Sequence, residues 1–448
     1  MFHPERDEDT ICALSSGAGR AGISVIRVSG KNALEYVRKN CSFLAPQPES
    51  HRAYLGEFKS SGDDSIDQVL VTYFSFGHSY TGEETIEISC HGSPSIVSET
   101  LEQLIQSGCR AADPGEFTFR AFMNDRIDLV QAEGVLSLIE SQSRSSRRHA
   151  LRQLRGEASK QFQKIEEDLL WLLSRLEINI DFSLEGLQSE VPETISAKLE
   201  GVIDTTKHLL SSYESGRLLR EGARVVICGR PNSGKSSLLN AILQEERAIV
   251  DATPGTTRDT VEGRKSFGFA STVLVDTAGI RETEDPVEKT GVKKTFDSLA
   301  GADLILLAID LSQGMTVEDE DLKMKLDPKK TLIVGTKKDK ATLFSDVDIA
   351  TSSKTGEGIS ELEKKILNFL KAHEPIDTAE VIQARHYGLL KKVSPMLART
   401  RALFETKSGE EFMAFELRES LNLIYEILGK NFNEQVIHQV FKDFCIGK

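Results

Sequence analysis

The segment that most restricts the fold is Gly229-Arg230-Pro231-Asn232-Ser233-Gly234-Lys235-Ser236. It fits GxxxxGK[ST], follows the apolar run RVVIC and leads into Ser236-Ser237-Leu238-Leu239, a helix-forming stretch. Strand, glycine loop and helix in that order make a phosphate cradle. The glycines let backbone N–H groups face an anion, and the helix N-terminus adds positive potential. Such a unit needs a parallel sheet around it. Val225 to Cys228, Thr272 to Val275, Leu304 to Ile309 and Thr331 to Val334 supply short apolar strands, with helical stretches between them. This is a doubly wound α/β pattern, expected over residues 217–375.

The flanks read differently. Residues 1–120 alternate short strands (Ile23 to Val28, Val69 to Phe74, Glu84 to Ser89) with turns and helical stretches, as an α+β domain does. From about Arg120 the pattern becomes helical. Leu169, Leu170, Leu172, Leu173 and Leu176 form an apolar stripe beside Trp171. The chain turns helical again after His373. Two helical blocks, 121–216 and 376–448, predict one helical domain into which the α/β domain is inserted. The expected fold class is multidomain α/β plus α, with a Ras-like P-loop domain as the insert. A length of 448 residues suits about three domains at roughly 150 residues each.

Charge and cysteines exclude several classes. A net charge of -14 argues against a general nucleic-acid coat, though it leaves room for a local basic patch. Arg144, Arg147, Arg148, Arg152 and Arg155 are spaced for one helical face, as a patch for nucleic-acid phosphates or a solvated surface. No apolar run approaches the roughly 18 residues that span a bilayer. The start, MFHPERDEDT, has no apolar core of a secretory signal. Six scattered cysteines form no close metal-ligand pair, which predicts reduced thiols and a cytoplasmic location without membrane contact.

The motifs downstream of the phosphate loop select the nucleotide. Asn232, Ser233, Gly234, Lys235, Ser236 and Ser237 are expected around the phosphates, with Lys235 bridging β and γ and Ser236 on Mg²⁺. Asp276-Thr277-Ala278-Gly279 ends an apolar strand; its Asp points to the Mg²⁺ site and its Gly admits the γ-phosphate. Thr336-Lys337-Lys338-Asp339 ends another. Asp339 can accept the ring N–H and amino group of guanine, a pair adenine does not offer, while the Lys337 stem packs on the base. Ser352, Ser353 and Lys354 suit a loop under the guanine oxygen. The order argues for GTP and resembles translation-factor-type GTPases, with Thr336 in place of the usual Asn. Residues 251–257 (Asp251, Ala252, Thr253, Pro254, Gly255, Thr256 and Thr257) form a candidate switch, Thr257 serving Mg²⁺ and the γ-phosphate. The position where Ras-like enzymes carry a water-orienting Gln holds Ile280, so water activation must come from elsewhere.

Beyond these motifs, DTICALSSGAGRAGISVIRVSG, YTGEETIEISCHG, PGEFTFRAFMNDRIDLVQAEG and the terminal FCIGK occur in order along the chain. Together they resemble the MnmE (TrmE) family of tRNA modification GTPases. The resemblance implies a homodimer that works with MnmG (GidA), a FAD-dependent partner, on carbon 5 of the tRNA wobble uridine. A tetrahydrofolate derivative, 5-formyl or methylene, supplies the one-carbon unit. By motif, Arg27, Glu87, Arg126 and Lys448 are the implied folate contacts; Arg126 stands where many relatives carry Lys. The resemblance also implies bound K⁺, with Asn232 as a side-chain ligand and Asp251, Thr253 and Thr256 giving carbonyls. Glu288 matches the family's water-orienting glutamate, which acts with Lys235 in hydrolysis.

Two rival functions remain open at this stage. A ribosome-assembly GTPase shares the switch style but predicts an appended RNA-binding fold, and it leaves FCIGK unexplained. A folate-dependent methyltransferase with a regulatory G domain is a second. Cys445 is read either as a nucleophile on the uracil ring or as a structural thiol.

Overall fold

The computed structural model describes residues 9–141, 143–184, 192–244, 261–267, 270–276, 299–341, 346–372, 383–406, 409–431, 434–442 and 444–448. The chain divides into two compact units. One comprises Met1–Leu136, Arg152–Val202 and Pro395–Lys448; the other comprises Ser137–Leu151 and Ile203–Ser394.

The first unit opens with β1 (Ile11–Leu14), β2 (Ala21–Ser29), α1 (Ala33–Asn40), β3 (Arg52–Lys59), β4 (Ser65–Phe74), β5 (Thr85–Gly92), α2 (Pro94–Ser107) and β6 (Arg110–Ala111). The strands form one sheet in the order β3-β4-β5-β2-β1-β6. All neighbours are antiparallel except β1 and β6. Alternation divides its two faces. Ile26, Val28, Ile86 and Ile88 pack with Val37 and Leu104 of the two helices into one core. Ile11 and Ala13 instead join Phe117 in a second cluster, with Tyr80 packed against it. Strands β1, β3 and β6 were not among the expected strands: β1 and β6 are only four and two residues long, and β3 mixes Ala53, Tyr54, Leu55 and Phe58 with charged residues and a glycine.

Helices follow: α3 (Glu116–Met123), α4 (Leu129–Glu140), α5 (Arg144–Leu154), α6 (Glu157–Leu184) and α7 (Pro192–Glu221). The leucine stripe is core as expected at Leu169, Leu172, Leu173 and Leu176 of α6, whereas Leu170 is exposed. The second unit holds β7 (Ala223–Cys228), α8 (Lys235–Gln244), β8 (Val261–Phe267), β9 (Ala270–Asp276), β10 (Leu304–Asp310), α9 (Val317–Lys325), β11 (Thr331–Thr336), β12 (Ile349–Ala350) and α10 (Ile359–Ala372). The strand order is β12-β11-β10-β7-β9-β8. Every pairing is parallel except that of β8 with β9. Each residue of β10 is buried, as a strand covered on both faces requires. The antiparallel edge strand β8 was not among the expected strands.

The chain closes with α11 (Ala384–Glu405), α12 (Glu410–Leu428) and α13 (Glu434–Phe441). The buried positions Met413, Leu417, Leu421, Ile424 and Leu428 recur on one face of α12. Arg418 of α12 pairs with Glu177 of α6 at 3.0 Å. Lys430 reaches both oxygens of Glu166, also on α6, at 2.6 and 2.7 Å. Phe441 stacks edge-on against Phe119 of α3 at 5.6 Å.

Candidate functional site

The phosphate loop leaves β7 at Gly229, whose φ of 144° and close approach to the Ala308 carbonyl exclude a side chain. Lys235 opens α8 and is buried; its Nζ donates to the Arg230 carbonyl at 2.9 Å, inside the loop. Ser236 and Ser237 are exposed on the same first turn. The Oγ of Ser233 is buried and has no hydrogen-bond partner among the described residues. A buried hydroxyl in that state costs free energy, which an anion seated in the loop could offset. The loop therefore fits a phosphate.

β11 ends at the guanine-type motif and ties it to the loop. Thr336 is buried, and its hydroxyl faces two carbonyls, Ser233 at 2.5 Å and Ile309 at 3.1 Å. Gly234 has space for no more than this, since a Cβ there would meet Thr336 Oγ1 at 3.3 Å. Lys337 adopts a left-handed backbone at φ 55°. Its Nζ donates to the Asn232 carbonyl at 2.8 Å and to Asp310 Oδ2 at 2.7 Å. Both ends of that side chain are thus fixed, and its stem spans the region beside the loop. Ser352 is fully buried and donates to Asp339 Oδ1 at 2.8 Å, which orients the carboxylate expected to read guanine. Ser353 is half-buried and Lys354 exposed on the following turn.

Sequence reasoning missed Asp310. It closes β10, is buried, and anchors Lys337. Burial alone raises its pKa, but hydrogen bonds from Lys337 and Ser312 outweigh that and hold it below the ordinary carboxylate value. The available signal was its place at the carboxyl end of a central parallel strand, where ligands of such sheets bind.

The candidates Asp251, Ala252, Thr253, Pro254, Gly255, Thr256, Thr257, Thr277, Ala278, Gly279 and Glu288 lie outside the described residues. Asp276 closes β9, and its side chain also lies outside them.

On the first sheet, Arg27 and Glu87 are direct cross-strand partners. Arg27 Nε and Nη2 both donate to Glu87 Oε1, at 3.0 and 2.9 Å. The guanidinium also lies 5.2 Å from the Tyr80 ring centre and 5.5 Å from that of Phe117. The pair sits on the face opposite α1 and α2, because Ile26, Val28, Ile86 and Ile88 alternate with it. Arg126 lies on the same unit, beside the loop that follows Tyr80. Its stem passes Gly82, and it lines a cavity of about 500 Å³ with Phe122, Asp128, Gln163 and Lys430. The tail that carries Lys448 docks on the unit: the Gly115 amide donates to the Cys445 carbonyl at 3.3 Å, and Gly447 packs against the Leu14 carbonyl. Cys445 is exposed and the other five cysteines are buried, all six free.

A charged cluster lies near the pair. Arg120, 3% exposed, bonds Glu83 at 3.0 Å and Glu116 at 3.0 Å. Arg110 meets Glu116 at 2.6 Å. Burial pushes the Glu116 pKa up, but bonds from Arg110 and the Asp113 amide and the Arg120 charge leave it below its ordinary value.

Comparison with known proteins agrees with this layout. The family profile described as the MnmE helical domain matches residues 129–445. That of the GTP-binding protein TrmE N-terminus matches residues 10–126. A tRNA modification GTPase MnmE from Bdellovibrio bacteriovorus is 43% identical, covering 100% of this chain and 99% of its own length. The chain belongs to the MnmE family of tRNA modification GTPases. An MnmE from Aquifex aeolicus is 38% identical over 98% of this chain and 100% of its own. Among solved structures, an Aquifex aeolicus Era bound to GDP.AlF4- is 27% identical, covers 39% of this chain and 66% of its own, with a TM-score of 0.29. The G domain of the T. maritima FeoB iron transporter is 28% identical, covers 33% and 98%, with a TM-score of 0.27. As an MnmE-family enzyme, the chain binds GTP and couples its hydrolysis to tRNA modification, and tRNA is its substrate. Among the described residues, no helix is long and apolar enough to cross a membrane.

Proposed function

We propose that this GTPase is potassium-stimulated and acts as a homodimer in the cytoplasm. In complex with MnmG (GidA), which carries FAD, it modifies carbon 5 of the tRNA wobble uridine to a cmnm5U- or nm5U-type product. Its one-carbon unit comes from 5-formyl- or methylene-tetrahydrofolate. The functional divisions are 1–120 for folate and dimerisation, 217–375 for GTP, and 121–216 with 376–448 as the helical domain.

The observation that carries the folate reading is the Arg27–Glu87 pair. Both arginine bonds land on Glu87 Oε1, which leaves Oε2 to accept N–H groups. A pterin edge presents two such donors, as guanine does. Arg27, flanked by Tyr80 and Phe117, holds the carboxylate in place. Arg126 and Lys448 supply cations for the glutamate carboxylates of the folate. The buried Oγ of Ser233 and the inward Lys235 support phosphate binding in the loop.

In the nucleotide site, Ser236, Thr257 and Asp276 would hold Mg²⁺, and Asn232, Asp251, Thr253 and Thr256 would hold K⁺. Those cations supply charge that offsets the transferring phosphoryl group. Lys235 serves the β and γ phosphates, Gly279 admits the γ-phosphate, and Glu288 orients the attacking water. Asp339, held by Ser352, reads guanine. A Glu288→Ala protein should bind GTP normally and lose K⁺-stimulated turnover; full turnover would remove Glu288 from the mechanism. For the folate site, 5-formyl-tetrahydrofolate titrated into the protein should bind the Glu87→Gln form at least about tenfold more weakly, the loss of a charge-assisted contact. Unchanged affinity would reject the site.

A further inference from the structure

Two segments contrast with the acidic whole. Residues 141–156 hold five arginines, and residues 381–404 hold three arginines and two lysines. Neither contains an Asp or Glu, in a chain with 69 of them. Parts of both fall in the same compact unit, Ser137–Leu151 and Ile203–Ser394.

There five basic groups are exposed, while Arg385 is half-buried against His386. Arg144, Arg147 and Arg148 are exposed on α5, while His149 and Ala150 are buried. Lys391 and Lys392 are exposed on α11, while Leu389, Leu390 and Val393 are buried. Gln383, just before α11, donates to Ser137 in the last turn of α4 at 3.0 Å, which ties the start of α11 to the helix that precedes α5. The expected five-arginine stripe is shorter than its spacing suggested. Arg152 is half-buried and spends its Nε on Glu157 at 2.6 Å, and Arg155 lies past the helix end.

Like charges three and four residues apart cost helix stability, and a face serving only solubility mixes both signs. A surface that concentrates one sign attracts a polyanion. Guanidinium forks match phosphate oxygens geometrically, and lysines meet them as point charges. We propose that Arg144, Arg147 and Arg148, with Lys391 and Lys392, form the docking surface for the sugar–phosphate backbone of the tRNA substrate. The proposal rests on the family's tRNA-modification activity and adds where the RNA body is held. The surface positions the RNA without reading bases. The remaining acidic surface confines binding to this patch and keeps it salt-sensitive.

The test is binding of bulk tRNA to the full chain, from about 50 to about 200 mM KCl, where phosphate contacts dominate the salt response. Wild type should show a negative salt slope. The Arg144→Glu/Arg147→Glu/Arg148→Glu form should lose about 2 to 3 from that slope and bind at least about tenfold more weakly at low salt. Lys391→Gln/Lys392→Gln, a milder change, should remove about 1 to 2. Basal GTP turnover should be unchanged in both and reports intact folding. If the arginine form loses turnover, the lysine form decides alone. Wild-type slope and affinity in the folded variants overturn the surface, as does wild type that binds no tRNA at low salt. The same holds if the variants lose only binding to an acidic partner protein. If wobble uridine is still modified by wild type in cells, the enzymatic function survives any of these failures.

Discussion

In the parallel sheet the groups that matter lie past the carboxyl ends of β7, β10 and β11. In the antiparallel sheet they lie mid-strand, with Arg27 on β2 facing Glu87 on β5. The first arrangement is built from loops. Its side chains are held by one another: Thr336 on the Ser233 carbonyl, Lys337 on Asp310, Ser352 on Asp339. The second is built on the rigid ladder itself, where strand register fixes the pair. Loop sites need internal ties to become ordered. Ladder sites have order already and need only compensation of their charge.

That contrast predicts where substitutions hurt. The largest effect should come from the charge cluster that supports the antiparallel sheet. Glu116→Ala removes a shared partner of two arginines and should cost about 2–4 kcal/mol, short of the full cost of a broken buried pair because Arg120 keeps Glu83 and Arg110 keeps Asp9. Native-state hydrogen exchange at the amides of β1 and β2 reads it. A loss below about 1 kcal/mol would show that the cluster is solvated, against the structure. Next is Thr336→Val, which removes the hydroxyl facing Ser233 and Ile309. GTP affinity should fall by about 1–3 kcal/mol, with Thr336→Ser close to wild type. Fluorescent-nucleotide titration measures this, and equal affinities would mean that the loop is ordered without its tie. On the ladder, Arg27→Met leaves Glu87 without its partner but leaves the register intact. It should weaken 5-formyl-tetrahydrofolate binding while GTP affinity stays unchanged, and parallel losses of both would erase the contrast.

The smallest effect concerns pH. Glu116 and Asp310 both have folded-state pKa values below their ordinary ones. Each therefore stabilises the fold fully above the ordinary carboxylate value of about 4, and that contribution fades as pH falls through the folded value. Chemical denaturation between pH 7 and pH 3 should show stability falling at the acid end, with a shallower fall for Asp310→Asn. An identical slope would exclude Asp310 as a contributor.

The same contrast explains what the sequence disclosed. Loop sites are contiguous, so GRPNSGKS and TKKD announced the parallel sheet and its nucleotide directly. The tie from Thr336 to Ser233 spans 103 positions, and Asp310 stands in no motif, so neither was legible. Arg27 and Glu87 are 60 positions apart, and only the family resemblance joined them before the strand register did. The resemblance also grouped Arg126 with them. The structure sets Arg126 beside Gly82, lining a cavity with Lys430. β1 and β6 escaped because runs of four and two residues are too short to show a period, and β3 and β8 because charged residues and a glycine break their apolar alternation.

The central claim is that one chain joins a GTP site and a folate site to modify the wobble uridine at carbon 5. Mass spectrometry of tRNA nucleosides from cells lacking the chain tests it most directly. The C5 modification should disappear, return with wild type, and fail to return with either Asp339→Asn or Glu87→Gln. Undiminished modification in the cells that lack the chain would contradict the account.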